Sequence, residues 1–99
     1  MSATAKSAEV TTLRLIIRGR VQGVGFRYAL ADEARSRKLR GWVRNRRDGC
    51  VEAIVAGPAT EVDAIVLWSS PGPASAQVTA IETEVVEGEF AMFEIAPTV

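Results

Sequence analysis

Leu13-Arg14-Leu15-Ile16-Ile17-Arg18-Gly19-Arg20-Val21-Gln22-Gly23-Val24-Gly25-Phe26-Arg27 carries the chain from one kind of element into another. From Thr11 to Gly19, Leu13, Leu15 and Ile17 alternate with Arg14, Ile16 and Arg18, the period of a half-buried strand. Gly23 and Gly25 interrupt that pattern as a loop. From Phe26 to Leu39 the period changes. Phe26, Ala29, Leu30 and Ala34 recur at helical spacing, with Asp32, Glu33, Arg35 and Arg37 left for the solvent side. Gly41 is the expected helix stop.

Outward from this unit the chain repeats the scheme. Trp42 to Arg46 reads as a second strand, and Arg47-Asp48-Gly49 supplies an Asp-Gly hairpin turn. Cys50 to Ala56 is the paired third strand, with Val51, Ala53 and Val55 on one face, and Gly57-Pro58 breaks it. A second helix is expected from Thr60, whose side chain would cap it with Asp63 three residues on. Val62, Ile65, Val66 and Ser69 mark its inner face, and Ser70-Pro71-Gly72-Pro73 ends it. Gln77 to Val86 alternates as a fourth strand and Phe90 to Ala96 is a short fifth.

The order β-α-β-β-α-β plus a short fifth strand predicts an α+β ferredoxin-like sandwich. Two helices pack on one face of a mainly antiparallel sheet, which buries the apolar side of both layers. Residues 1–10 are expected to be a flexible tail and residues 11–99 one domain, since 99 residues fill one small core.

Composition narrows the chemistry. The chain has no histidine, which removes His-based acid–base catalysis, phosphohistidine chemistry and His-ligated metals. Cys50 stands alone and cannot form an internal disulfide. Its surroundings lack a phosphatase arginine six positions on, where Ala56 stands, so it reads as a small strand filler. Neither a signal peptide nor a membrane-spanning run is legible, and a soluble cytoplasmic protein is expected. All 12 basic residues precede Asp48, with three acidic ones among them, giving +9; the rest carries nine acidic residues and no basic one. Either the first half presents an anion-attracting surface, or strands from the two halves neutralise each other on folding.

The β-to-α junction is the segment that carries chemistry. Free N–H groups at a helix start, with the helix dipole behind them, attract anions. Glycines let the backbone wrap closely, and a guanidinium such as that of Arg27 grips phosphate oxygens through two parallel bonds. The loop Val21 to Gly25, with Phe26 and Arg27 in the first turn of the helix, therefore forms a candidate phosphate cradle. A tight turn and a solvated arginine are the alternative reading of the same residues. No Gly-Lys-Ser/Thr follows, and Tyr28 stands where a dinucleotide loop has its third glycine, so neither familiar nucleotide loop fits.

Several segments together resemble the acylphosphatase family. They are Gly19 to Arg27, Gly41-Trp42-Val43-Arg44-Asn45, Asp48-Gly49-Cys50-Val51-Glu52, Gly57-Pro58, and Trp68 followed by Gly72-Pro73. The resemblance covers roughly Leu13 to Ile95 and implies the sandwich described above. It implies hydrolysis of the carboxyl–phosphate bond of acyl phosphates, with no metal or other cofactor. It also implies that Arg27 and the backbone amides of Gln22 to Arg27 bind the phosphoryl group and that Asn45 orients the attacking water. On residue type alone, Asn45 would be a turn residue before the hairpin. Two stretches depart from the family. Where it often has Leu-Gly-Leu before Gly-Trp, this chain has Arg37-Lys38-Leu39-Arg40, which bears on the helix end. Glu94-Ile95-Ala96 lacks the basic or aromatic ending of many relatives.

The expected partner is a small acyl phosphate, with phosphate or sulfate as possible occupants of the loop, and a monomer is expected. Nucleic acid is not expected, because an RNA-binding version of this fold needs exposed aromatics on the central strands. Leu15, Ile17, Val51, Ala53 and Val55 offer none. A non-catalytic anion-binding module, and a domain serving a larger carbamoyl-transfer machine, are the competing readings.

Overall fold

A computed structural model describes residues 9–99. The elements are β1 (Val10–Arg20), α1 (Phe26–Ser36), β2 (Arg40–Asn45), β3 (Val51–Pro58), α2 (Ala59–Ser69), β4 (Gln77–Val85) and β5 (Phe93–Ile95). The sheet order is β4-β1-β3-β2-β5. Neighbours run antiparallel except β5, which lies parallel to β2. This is the expected ferredoxin-like sandwich. Of the tail expected over residues 1–10, the first eight lie outside the described residues, and Val10 already opens β1.

Alternation settles which face is inside. Leu15 and Ile17 of β1, Val43 of β2, and Val51, Ala53 and Val55 of β3 point to the helices and are completely buried. Phe26, Leu30 and Ala34 of α1 and Val62 and Ile65 of α2 close over them. Burying each large aliphatic side chain of this kind contributes roughly 1.5–3 kcal/mol. The helix-free face is instead covered by charges. Arg14 reaches Glu52 and Glu84, and Arg18 reaches Glu82, at N–O distances of 2.7, 3.4 and 3.1 Å. The basic β1 lies between β3 and β4, which come from the acidic half. Along this face, arginines of the basic half pair with glutamates of the acidic half.

Two local expectations are corrected. α1 ends at Ser36, and Gly41 is not its stop. The turn is made at Lys38, which holds a left-handed φ of 60° while its N–H donates to the Arg35 carbonyl and that of Leu39 to Ala34. Gly41 belongs to β2, where φ is 129° and a β-carbon would collide with the Ile54 carbonyl of β3. Its lack of a side chain serves strand contact rather than helix termination. Likewise Thr60 does not cap α2. The cap position is Pro58, whose φ of −57° suits a helix entry, and no side-chain cap bond forms. The amide of Ala59 is satisfied instead by the Glu9 carbonyl at 2.9 Å.

Candidate active site

β1 and β2 both run antiparallel to β3, so they finish at the same end of the sheet. Ile17, Val51 and Asn45 form one row across it. With strands about 4.8 Å apart, Ile17 and Asn45 are separated by roughly 10 Å. Asn45 shares the helix-side face with Val43, two residues before it. The topology thus brings the end of β2 to the edge where β1 gives way to the glycine loop.

That loop is pinned at both ends. Val21 and Phe26 are each 1% exposed. The Phe26 ring meets Trp68 edge-on, with centroids 6.0 Å apart and planes at 68°. Between the anchors, Gly23 and Gly25 have φ of 74° and 80°, and a β-carbon at either would meet no atom within 4 Å. Glycine is used here for backbone hand, not for space. Val24 between them keeps negative φ, since Lys38 is the sole non-glycine with positive φ among the described residues. Left-handed residues in a turn are a backbone pattern that can gather N–H groups into an anion-binding nest.

Among the described residues, no carbonyl or side-chain oxygen accepts from the amides of Gln22 to Tyr28 with good hydrogen-bond geometry. Gly25 caps α1 without a side-chain bond, and no acidic residue occupies the helix's first turn. The positive end of the helix dipole is therefore not offset locally. Arg27, in that first turn, is half-buried and has no carboxylate partner within 4.0 Å among the described residues; its guanidinium carbon lies 5.5 Å from the Tyr28 ring centre. Gln22, Gly23, Val24, Gly25, Phe26 and Arg27 thus stand together in the loop and first turn at the start of α1.

Asn45 completes the set of expected residues. Its side-chain oxygen is buried and receives no hydrogen bond among the described residues. Its backbone carbonyl accepts from the Val99 amide at 3.2 Å. The hairpin after it is closed by Arg46 N–H to Cys50 O at 2.9 Å and by Gly49 N–H to Arg46 O at 3.0 Å. Asp48 takes the turn role suggested by its Asp-Gly setting: its carboxylate accepts from the Cys50 amide at 3.0 Å. That bond is the main cause that holds the Asp48 carboxyl below its ordinary range. Cys50 is buried, and burial pushes its thiol up, so the thiolate needed for nucleophilic attack is disfavoured.

Two features were not legible beforehand. The Gln22 side-chain amide donates to Arg46 O at 2.7 Å and Cys50 O at 2.8 Å, tying the loop to the hairpin. On the helix-free face, Glu52 is 3% exposed and accepts from Arg14 and Arg44, at 2.7 and 2.9 Å, with Arg46 at 3.7 Å. Hairpin pairing through Asp48-Gly49 sets Arg44 opposite Glu52, and this cross-strand charge pair was the available signal. Trp42 lies on that face with Arg44 over its ring at 4.4 Å. Among the described residues, no three His, Cys, Asp or Glu side chains cluster in a way that could hold a metal, and no helix is long and apolar enough to cross a membrane.

Residues 13–95 match the acylphosphatase family model. The chain belongs to that family. It is 51% identical over 88 residues to an acylphosphatase of Cupriavidus necator, across 89% of this chain and 96% of that one. Among solved structures, it superposes on the acylphosphatase from Bacillus subtilis with a TM-score of 0.83 at 39% identity, covering 89% and 99% of the two chains. An acylphosphatase from Coxiella burnetii gives a TM-score of 0.85 at 28% identity over 88% of this chain and 93% of that one. The loop and Asn45 both fall inside the matched region. So do the acylphosphatase-like segments Gly41–Asn45 and Asp48–Glu52.

Proposed function

We propose that the cradle holds the phosphoryl group of an acyl phosphate and that Asn45 places the water that attacks it. Membership of the acylphosphatase family makes the chain a hydrolase of acyl phosphates; the roles of individual residues are our reading. One observation carries it. A run of amides with no acceptor among the described residues, carrying two left-handed glycines at a helix start, lies beside an arginine with no carboxylate partner among them.

The chemistry asks little of the protein. The leaving group is a carboxylate and departs without protonation. What remains is to neutralise charge on the phosphoryl oxygens and to align a water. The amides of Gln22 to Arg27 and the Arg27 guanidinium do the first, each charge-assisted bond contributing about 1.5–3 kcal/mol. Asn45 does the second, since its amide both donates and accepts. Water oxygen bonds to phosphorus, and the phosphorus–oxygen bond to the acyl group breaks with its electron pair on the carboxylate. A water proton passes to a phosphoryl oxygen of the substrate. No metal is needed for any of these steps.

The test is hydrolysis of a simple acyl phosphate in excess chelator. Wild type turns over, and folded Arg27→Ala loses at least ~3 kcal/mol of transition-state stabilisation, the scale of losing one preorganised oxyanion donor. Near-wild-type turnover in that variant refutes the cradle, and a chelator-dependent loss refutes metal independence.

A further inference from the structure

We propose that the side chain of Gln22 is a positioning residue that sets Asn45 against the cradle. This rests on the roles just proposed for Asn45 and the loop. Gln22 lies in the connection from β1 to α1, yet its side chain does not serve that connection. Both hydrogens of its amide nitrogen are spent across the site, on Arg46 O at 2.7 Å and Cys50 O at 2.8 Å. Arg46 follows Asn45, and Cys50 precedes Val51, the register partner of Asn45. One amide thus clasps both strands of the hairpin, one step beyond the Asn45–Val51 pair.

Asn45 has no comparable restraint of its own. Its side-chain oxygen receives no hydrogen bond among the described residues, so its aim depends on where its backbone sits. The carbonyls that Gln22 holds belong to the closing pair of the hairpin, where strand ends fray first. Releasing them lets Asn45 drift relative to Gln22's own loop. A misplacement of about 1 Å at a reacting centre can cost on the order of 100-fold in rate. A direct role for this side chain in holding phosphate is disfavoured by the same geometry. With its two N–H groups engaged, only the amide oxygen remains, and an acceptor does not attract an anion.

Gln22→Met keeps the length and removes both donors; Gln22→Asn keeps the donors but falls one methylene short, and is read if Gln22→Met does not fold. The expected result is a kcat at least about ten-fold lower, with KM and inorganic phosphate affinity within about three-fold of wild type. In an Asn45→Ala background the same substitution should change kcat by less than about two-fold, because the positioned group is gone. The side-chain amide of Asn45, followed by nitrogen-15 NMR, should give one sharp pair of signals in wild type and broadened or split signals in the variant. Unchanged kcat, equal losses in both backgrounds, or an unaltered Asn45 signal would each overturn the proposal. The NMR arm needs no turnover, so it decides the positioning role even if the hydrolase reading fails.

Discussion

Glu52 accepts from Arg14 Nε at 2.7 Å across the β1–β3 pairing while remaining 3% exposed. Arg44 takes its other oxygen at 2.9 Å from the opposite side. A buried carboxylate between two arginines is costly to neutralise, because the desolvation is already incurred and the attraction is what offsets it. Its arginines keep about 30% of their side chains in solvent, which tempers the effect. Glu52→Gln is expected to lower stability by about 1.5–3 kcal/mol, read as a lower urea midpoint with an unchanged slope.

The same residue contributes to acid sensitivity. Burial pushes the Glu52 carboxyl up, but hydrogen bonds and attraction from Arg14 and Arg44 outweigh it, and the net shift is downward. A carboxyl lower in the folded than in the unfolded chain stabilises above the unfolded value, about 4.3 for glutamate. That stability is lost as pH falls through the folded value. Wild type should therefore lose stability below about pH 4.3 more steeply than Glu52→Gln. Parallel slopes in urea titrations from pH 6 to pH 3 would contradict the assignment.

Asn45→Ala is expected to separate activity from stability. Its buried oxygen receives no protein hydrogen bond among the described residues, and such an orphan costs on the order of 1–3 kcal/mol. Removing the amide should abolish most turnover, leave inorganic phosphate affinity within about three-fold, and hold or raise Tm. Loss of phosphate binding in the folded variant would show that Asn45 belongs to the cradle instead.

Lys38 stands at φ 60°, a hand that costs a side-chain-bearing residue roughly 1–2 kcal/mol. Lys38→Gly relieves the strain, and the extra freedom of glycine in the unfolded chain returns part of it. A net gain of about 0.5–1 kcal/mol is expected, visible as a higher Tm with unchanged kcat. A fall in Tm would mean that the lysine side chain itself stabilises the helix end.

Much of the fold was readable because its elements carry their own periodicity. Leu15 and Ile17, or Val51, Ala53 and Val55, advertise a buried strand face whatever they pair with. The sequence was silent where the answer depended on register. Glu52 looks like any charge on a strand until Arg14 and Arg44 are set beside it. Gln22 looks like a loop amide, because its partners are backbone carbonyls of Arg46 and Cys50, which leave no mark in residue type. Lys38 hides its role for the opposite reason: it takes a conformation its side chain disfavours, held by backbone bonds of Lys38 and Leu39 to the preceding turn. The glycines and helix start suggest an anion site on their own chemistry, whereas the role proposed for Asn45 comes from family resemblance.

The placement of β1 between β3 and β4 has a kinetic consequence. Leu15 pairs with Ala53 on one side and Thr83 on the other, so the strand that leads into the cradle is synthesised long before either neighbour. Closing such long loops slows folding relative to chains rich in local contacts. On the ribosome, β1 would wait with both edges open and its apolar side uncovered, a state prone to aggregation. A chain halted before β4 would have every residue of the cradle and Asn45, with one edge of β1 still unpaired. Enzyme activity should therefore appear late in synthesis, only after the segment around Gln77–Val85 has emerged and docked.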